Sequence, residues 1–303
     1  MYAHSERGTL LELGRVGVWT GQLGVMPAAT TRAIIPKIEA LGFKALWFPE
    51  SVAKEAFSQA AIMLAAGTEL VVATGIANIW ARDATSMANG GRTLAEAFPD
   101  RFLLGLGVSH APSVARRGHH YRSPLATMRD YLDAMQSARY VGPRPSAEPP
   151  IVLAALGPRM LQLAGERAAG AHPYFVPVAH TRVARNLMGE GPLLAPEQAV
   201  VITDDPHFGR AIGRTHTRRY LALDNYRNNL RRLGWGDDDL EADGSDDLVD
   251  SVVAWGSLDA IQARVAAHLE AGADHVSIQI LNGLSERFPL EELRLLAPAL
   301  HEL

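Results

Sequence analysis

Residues 149–178 read PPIVLAALGPRMLQLAGERAAGAHPYFVPV. An apolar run, Ile151–Leu156, meets a Gly-Pro turn and then an amphipathic stretch, Pro158–Ala169. Proline at the first helical position suits a helix start, where its missing N–H is not needed. A second apolar run follows at Tyr174–Val178. Both runs are continuous rather than alternating, as in parallel strands buried on two faces. Strand, helix and strand in this order predict a right-handed parallel crossover.

The same unit recurs on both sides. Earlier runs are Val16–Trp19, Ala45–Phe48, Leu70–Ile79 and Phe102–Val108; later ones are Ala199–Thr203 and His275–Leu281. Helical stretches intervene. In 259–270, Ile261, Val265 and Leu269 share a face, Ser257 caps the start and Gly272 ends it. Residues 30–41 repeat the pattern, with Ile34, Ile38 and Leu41 inward and Gly42 as the stop. Eight strands alternating with helices predict an α/β fold of the (β/α)8 TIM-barrel type. Periodicity alone also admits an open doubly wound sheet. The reading is one domain over residues 15–303, preceded by a loose leader at 1–14. The seventh and eighth strands are far apart, which predicts a long insertion between them. It holds a helical stretch rich in Arg and Tyr (210–233) and an acidic loop (236–247), taken as a solvated linker.

Apolar residues make up 48% of the 303-residue chain, and the formal net charge is −4. Neither a basic excess nor a polybasic run points to nucleic acid or to a membrane surface. The chain has no Cys, which excludes disulfides, thiolate catalysis and Cys-based metal sites. The N-terminus lacks a cationic start and a long apolar core, and no apolar run is long enough for a bilayer, so the expected location is cytoplasmic.

In such barrels chemistry sits at the C-terminal ends of the strands. The second strand ends at Glu50-Ser51 and the fourth at Gly107-Val108-Ser109-His110. His110 is suited to proton transfer near neutral pH; helix capping is the plainer alternative. Glu50 is a candidate hydrogen-bond acceptor at the site, against capping or pairing with Lys54. Gly157-Pro158-Arg159 offers free helix N–H groups and a cation to a phosphate, or is merely a helix start. Trp19, Trp47 and Trp80 line an apolar pocket or belong to plain core. Gly105 and Gly107 do not make a dinucleotide fingerprint, because His110 stands where the third Gly is required. His119-His120 has no spaced partner for a metal site. Few charges at the strand ends point to an apolar or mildly polar substrate.

The stretches GRVGVWTG (14–21), EALGFKALWFPES (39–51), LVVATGIANIWARDA (70–84), FPDRFLLGLGVSHAP (98–112), LDNYRNNLRRLGW (223–235) and HLEAGADHVSIQIL (268–281) occur in this order along the chain. Together with residues 149–175 and MRDYLDAM (128–135), they resemble the luciferase-like monooxygenase superfamily over roughly residues 15–300. The fit is closest to its coenzyme F420-dependent oxidoreductases. The resemblance implies a homodimer of barrels that binds a deazaflavin, coenzyme F420, and passes hydride to or from a small organic substrate. It implies a tricyclic ring across the barrel mouth, backed by a bulge with a non-prolyl cis peptide at Gly75-Ile76. Gly107, Val108, Ser109 and His110 would touch the ring and ribityl chain. Leu156, Gly157, Pro158 and Arg159 would meet the ribityl phosphate. Related sugar-phosphate dehydrogenases carry an Asp-His pair where this chain has Glu50-Ser51, and a glutamate where it has His110. That difference argues against a sugar phosphate and leaves His110, with Glu50, as the catalytic candidates. Two alternatives stay open: an FMN-dependent monooxygenase using reduced flavin and oxygen, and a non-catalytic flavin-binding protein.

Overall fold

A computed structural model describes residues 11–283 and 287–303. Ten strands lie in one curled, all-parallel sheet. They are β1 (Val16–Trp19), β2 (Ala45–Pro49), β3 (Val71–Asn78), β4 (Phe102–Gly107), β5 (Ile151–Leu153), β6 (Gly170–Ala171), β7 (Leu193–Leu194), β8 (Glu197–Ile202), β9 (Val253–Gly256) and β10 (Val276–Ile280). The order across the sheet is β7-β6-β5-β4-β3-β2-β1-β10-β8-β9. Only Ala195 and Pro196 separate β7 from β8. This one stretch of chain therefore borders β6, through Ala195 N–H to Ala171 O at 2.9 Å, and also β10, through Ser277 N–H to Pro196 O at 3.0 Å.

The continuous apolar runs follow from burial on both faces. In β2, Leu46 and Phe48 pack in the layer beneath the helices, while Ala45 and Trp47 pack on the opposite face. Trp47 is fully buried and stacks on His172 with ring centroids 4.4 Å apart. Its Nε1–H donates to His275 Nε2 at 3.0 Å, and His275 Nδ1–H donates to Gly14 O at 2.7 Å. Burial pushes the His275 pKa down to about 4, so the ring is neutral and one nitrogen is left to accept. The helix Leu258–Glu270 buries Ile261, Val265 and Leu269, is capped by Ser257 at Ala260 N–H, and stops before Gly272 at φ +104°.

Several expectations need correction. The run Tyr174–Val178 is not a strand; the sixth strand is the pair Gly170-Ala171, four residues earlier. A Cβ at Gly170 would lie 1.9 Å from Leu193 O, so only Gly permits this pairing. Phe175 has φ +55°, a left-handed conformation that breaks an extended run. The fifth strand stops at Leu153, and β7 and β9 were not anticipated. No cis peptide occurs among the described residues. The bulge is present without one: β3 shifts register against β4 between Ala73 and Ala77. Thr74 Oγ1 bridges this irregularity, accepting from Gly105 N–H at 2.8 Å and donating to Gly105 O at 3.0 Å.

The acidic stretch 236–247 is not a free linker. Asp237 pairs with Arg231 at 2.7 Å, Asp246 with Arg210 at 2.9 Å, and Asp243 with Arg218, all cations of the preceding helices Pro206–Leu221 and Asp224–Arg232. The leader expectation falls largely on residues 1–10, outside the described residues. Leu13 is buried. No helix among the described residues is long and apolar enough to cross a membrane.

Candidate active site

The ends of β1 to β6 open into a cleft with two lobes. The first has a volume of about 620 Å³ and the second about 890 Å³. Ile76, Ser109, His110, Tyr174 and Tyr226 line both, so the lobes meet along this strip. The β3 bulge places Ile76 there. Gly75 lines neither lobe and lies behind Ile76. A Cβ on Gly75 would approach His172 Nε2 at 3.1 Å and Trp19 Nε1 at 3.3 Å. Both nitrogens are buried and lack a hydrogen-bond partner, and both residues line the cleft. Trp47 is core. Trp80 is half-buried and ties β3 to β4 through Nε1–H to Val108 O at 3.0 Å.

His110 sits at the junction. It precedes the helix Ala111–Arg116, but its side chain makes no capping bond. Ser109 just before it has φ +57°, a strained value for a residue with a side chain. This turn directs the imidazole into the cleft, where Nδ1 lies 3.0 Å from Asn225 Oδ1 and the ring lies against Tyr226. With an amide oxygen as partner, Nδ1 carries the proton and Nε2 keeps its lone pair. Nε2 has no protein partner among the described residues. Burial lowers the His110 pKa below its ordinary value, and the bond to Asn225 opposes this. At neutral pH the ring is therefore a neutral proton acceptor.

Glu50 is placed differently. Its Oε2 accepts from Asn78 N–H at 2.8 Å and from Arg82 at 2.9 Å; Oε1 meets Arg82 and accepts from Ala56 N–H at 3.3 Å. The Glu50 and Arg82 side chains are 5% and 10% exposed. Lys54 does not pair with Glu50 but donates to the carbonyls of Leu23 and Gly24. The Glu50 carboxylate fixes the ends of β2 and β3 and has little capacity left for a substrate.

The far end of the first lobe is formed by Leu156, Gly157, Pro158 and Arg159 at the start of the helix Pro158–Arg167. No side chain caps this helix; Pro158 has no N–H and Met160 N–H bonds Gly157 O at 3.0 Å, which leaves the Arg159 N–H open to an anion. Arg232 faces it, with Nη2 at 3.5 Å from where a Cβ on Gly157 would stand. Burial pushes the His180 pKa down to about 4, and the neutral ring donates Nε2–H to Leu156 O at 2.9 Å, fixing the loop. At the strand side Gly107 leaves the wall bare, since a Cβ there would lie 2.4 Å from Ile76 Cγ2.

The sequence reading gathered His110, Ile76, Gly107, Val108, Ser109 and the Leu156–Arg159 turn, and these do converge on the first lobe. It missed Asn225, Asn228 and Arg232. They stand at i, i+3 and i+7 of one helix and form a polar stripe over an apolar cleft. That spacing was the available signal. His119 and His120 are exposed, and no group of His, Asp or Glu suited to a metal exists among the described residues.

The family described as luciferase-like monooxygenase matches residues 9–275. A Mycobacterium tuberculosis protein named as a coenzyme F420-dependent oxidoreductase is 28% identical over 169 residues, 55% of this chain and 46% of its own. The chain spans about half the length of the named relatives it matches. Among solved structures, an F420-dependent secondary alcohol dehydrogenase with an F420-acetone adduct superposes with a TM-score of 0.75. It is 13% identical, over 94% of this chain and 98% of that one. The oxygenating constituent of 3,6-diketocamphane monooxygenase from Pseudomonas putida, bound to FMN, gives 0.69. It is 14% identical, over 95% and 98%. At such identities the likeness is one of fold.

Proposed function

The chain belongs to the luciferase-like monooxygenase family, and from that premise we propose that it is a coenzyme F420-dependent oxidoreductase acting on a small organic substrate. We read the curled sheet as the closed eight-stranded barrel of that family. In this reading β7 and β8 form the seventh strand, and the helices and β9 that follow are an insertion. One observation carries the functional reading: a cleft with an anion-binding helix start at one end and a neutral imidazole, free at Nε2, at its centre.

The residues present fit a phosphorylated tricyclic cofactor. The helix start at Pro158, Arg159 and Arg232 would hold its phosphate. Ile76 and the bare backbone at Gly107 would support the flat ring, and the unpartnered Trp19 Nε1 and His172 Nε2 supply polar atoms beside it. When bound, the deazaflavin would supply hydride exchange with the substrate. His110 Nε2 takes up the proton released as the substrate is oxidised, or returns it in the reverse direction. Asn225 holds the tautomer that makes this possible. Glu50 acts as a positioning group, fixing the strand ends through Arg82. Apolar walls keep water from the reacting atoms.

An FMN-dependent monooxygenase is the second reading, favoured by the FMN-bound structure with near-complete coverage. Titration of the purified protein with F420 and, separately, FMN decides between them. Preferential binding of F420 supports the proposal; preference for FMN, with oxygen uptake in the presence of reduced flavin, replaces it. Binding of neither removes the cofactor assignment.

A further inference from the structure

Away from the phosphate end, three arginines stand together along the second lobe. Arg116, Arg117 and Arg219 all line it, and none has a carboxylate partner among the described residues. Arg116 donates to Ser113 Oγ at 3.0 Å and Arg117 to Ser51 O at 3.2 Å, which leaves further N–H groups on both. Arg219 has no side-chain hydrogen-bond partner among the described residues; it stands one residue before Tyr220, whose ring lines the lobe.

The inner wall adds one buried nitrogen without a partner, His216 Nε2, whose residue is 7% exposed. Two side-chain acceptors of the lobe are already engaged. Glu50 is held by Arg82, and Gln279 Oε1 accepts from Tyr174 O–H at 2.7 Å. Val18, Ile212, Ile280, Leu281 and Phe288 supply apolar surface between these groups. A lobe with open donors, unpaired cations and apolar walls complements an organic anion with an apolar body.

We propose that the second lobe is the substrate site and that its substrate carries a carboxylate, read by Arg219 and Arg117, on an apolar chain or ring that points toward His110. This deepens the oxidoreductase reading and rests on it for the assignment of the lobe to substrate rather than cofactor. It also replaces the expectation of an uncharged substrate. That expectation considered only strand ends, whereas Arg116, Arg117 and Arg219 are supplied by the two helices at Ala111–Arg116 and Pro206–Leu221 and the turn after the first.

The test uses octanoate, 1-octanol and octylamine as probes, measured by calorimetry on the protein alone and on the protein loaded with F420 or FMN. Octanoate should bind more tightly than octanol, and octylamine should not bind. The double variant Arg117→Gln/Arg219→Gln should weaken octanoate by about tenfold or more, as expected for losing charged hydrogen bonds, and leave octanol and cofactor affinities unchanged. In the unaltered protein, octanoate binding should weaken with added salt while octanol binding does not; this needs no variant to fold. Equal binding of octanoate and octanol, or no salt dependence, overturns the proposal. Loss of cofactor binding in the double variant also overturns it, because the arginines would then serve an acidic cofactor tail. If neither cofactor binds, the oxidoreductase reading fails, and the octanoate comparison on the protein alone still decides whether the lobe recognises anions.

Discussion

His110 and Asn225 are 115 positions apart in sequence and meet at 3.0 Å across the cleft. The amide oxygen fixes which imidazole nitrogen is free, and its bond partly offsets the lowering of the pKa by burial. Asn225→Ala should therefore lower the His110 pKa further and move the acid limb of the pH–rate profile to lower pH. Asn225→Asp places a negative charge on the same nitrogen and should move that limb upward. An acid limb that stays in place in both variants would detach Asn225 from the proton step.

Replacing His110 itself with Ala should cost turnover by about 10²–10⁴-fold, the usual range for a general acid or base. Cofactor affinity should hold, because the phosphate end is formed by other residues. The two are separated by rapid-mixing rates at saturating cofactor and by an equilibrium titration.

Arg232→Ala should act on the opposite side of that comparison. Losing a charged hydrogen bond to phosphate costs about 1.5–3 kcal/mol, or roughly ten- to hundredfold in Kd. The phosphate-free form of the same cofactor should bind the variant and the parent equally. A uniform loss for both forms would mean that Arg232 shapes the loop rather than contacting phosphate.

The Glu50–Arg82 pair is buried, so Glu50→Gln leaves a guanidinium without its counter-charge. Unfolding in urea should show a loss of about 3–5 kcal/mol. Adding Arg82→Met to that variant should restore part of the loss by removing the stranded cation. A single variant as stable as the parent would make the pair incidental.

Glu197 gives a pH signature. Burial raises its pKa from 4.5 to about 8; Oε2 accepts from Phe175 N–H at 3.2 Å and Oε1 has no partner among the described residues. Between these values the folded chain holds a proton that the unfolded chain releases, so this group's contribution to stability falls as pH rises. Five buried histidines act in the opposite sense. His172, His180 and His275 are lowered to about 4, and His216 and His268 to about 3. Below pH 6.5 the unfolded chain takes up protons that the folded chain refuses, so stability falls as pH drops. Melting temperature should thus decline on both sides of a maximum. Glu197→Gln should flatten the alkaline side and steepen the acid side between pH 4.5 and 6.5, where its slope opposes that of the histidines.

The first four strands and the helix Leu258–Glu270 were legible because each buries a regular apolar pattern long enough to register. Gly170-Ala171 was not: two small residues carry no periodicity, and their pairing depends on close approach to Leu193 O. Tyr174–Val178 mimicked a strand because it is buried, but Phe175 turns left-handed there. In the site, the residues at strand ends were readable from the barrel reading and the resemblance. Asn225, Asn228 and Arg232 were not, because a polar helical face looks the same whether it meets water or a ligand. The arginines of the second lobe share that ambiguity.

The pairing of β9 with β8 has a consequence for the cleft. Residues 203–252 leave the end of β8 and come back as β9, which pairs with the same strand from Ala199–Val253 to Ile202–Gly256. Asp250 braces the base, taking Arg210 at 2.6 Å and Trp255 Nε1–H at 2.6 Å. The helix bearing Asn225, Tyr226 and Arg232 is thus the keystone of an arch with both feet on one strand. Asn225, Tyr226 and Arg232 reach the cleft from a segment tied at both ends to β8, directly and through β9.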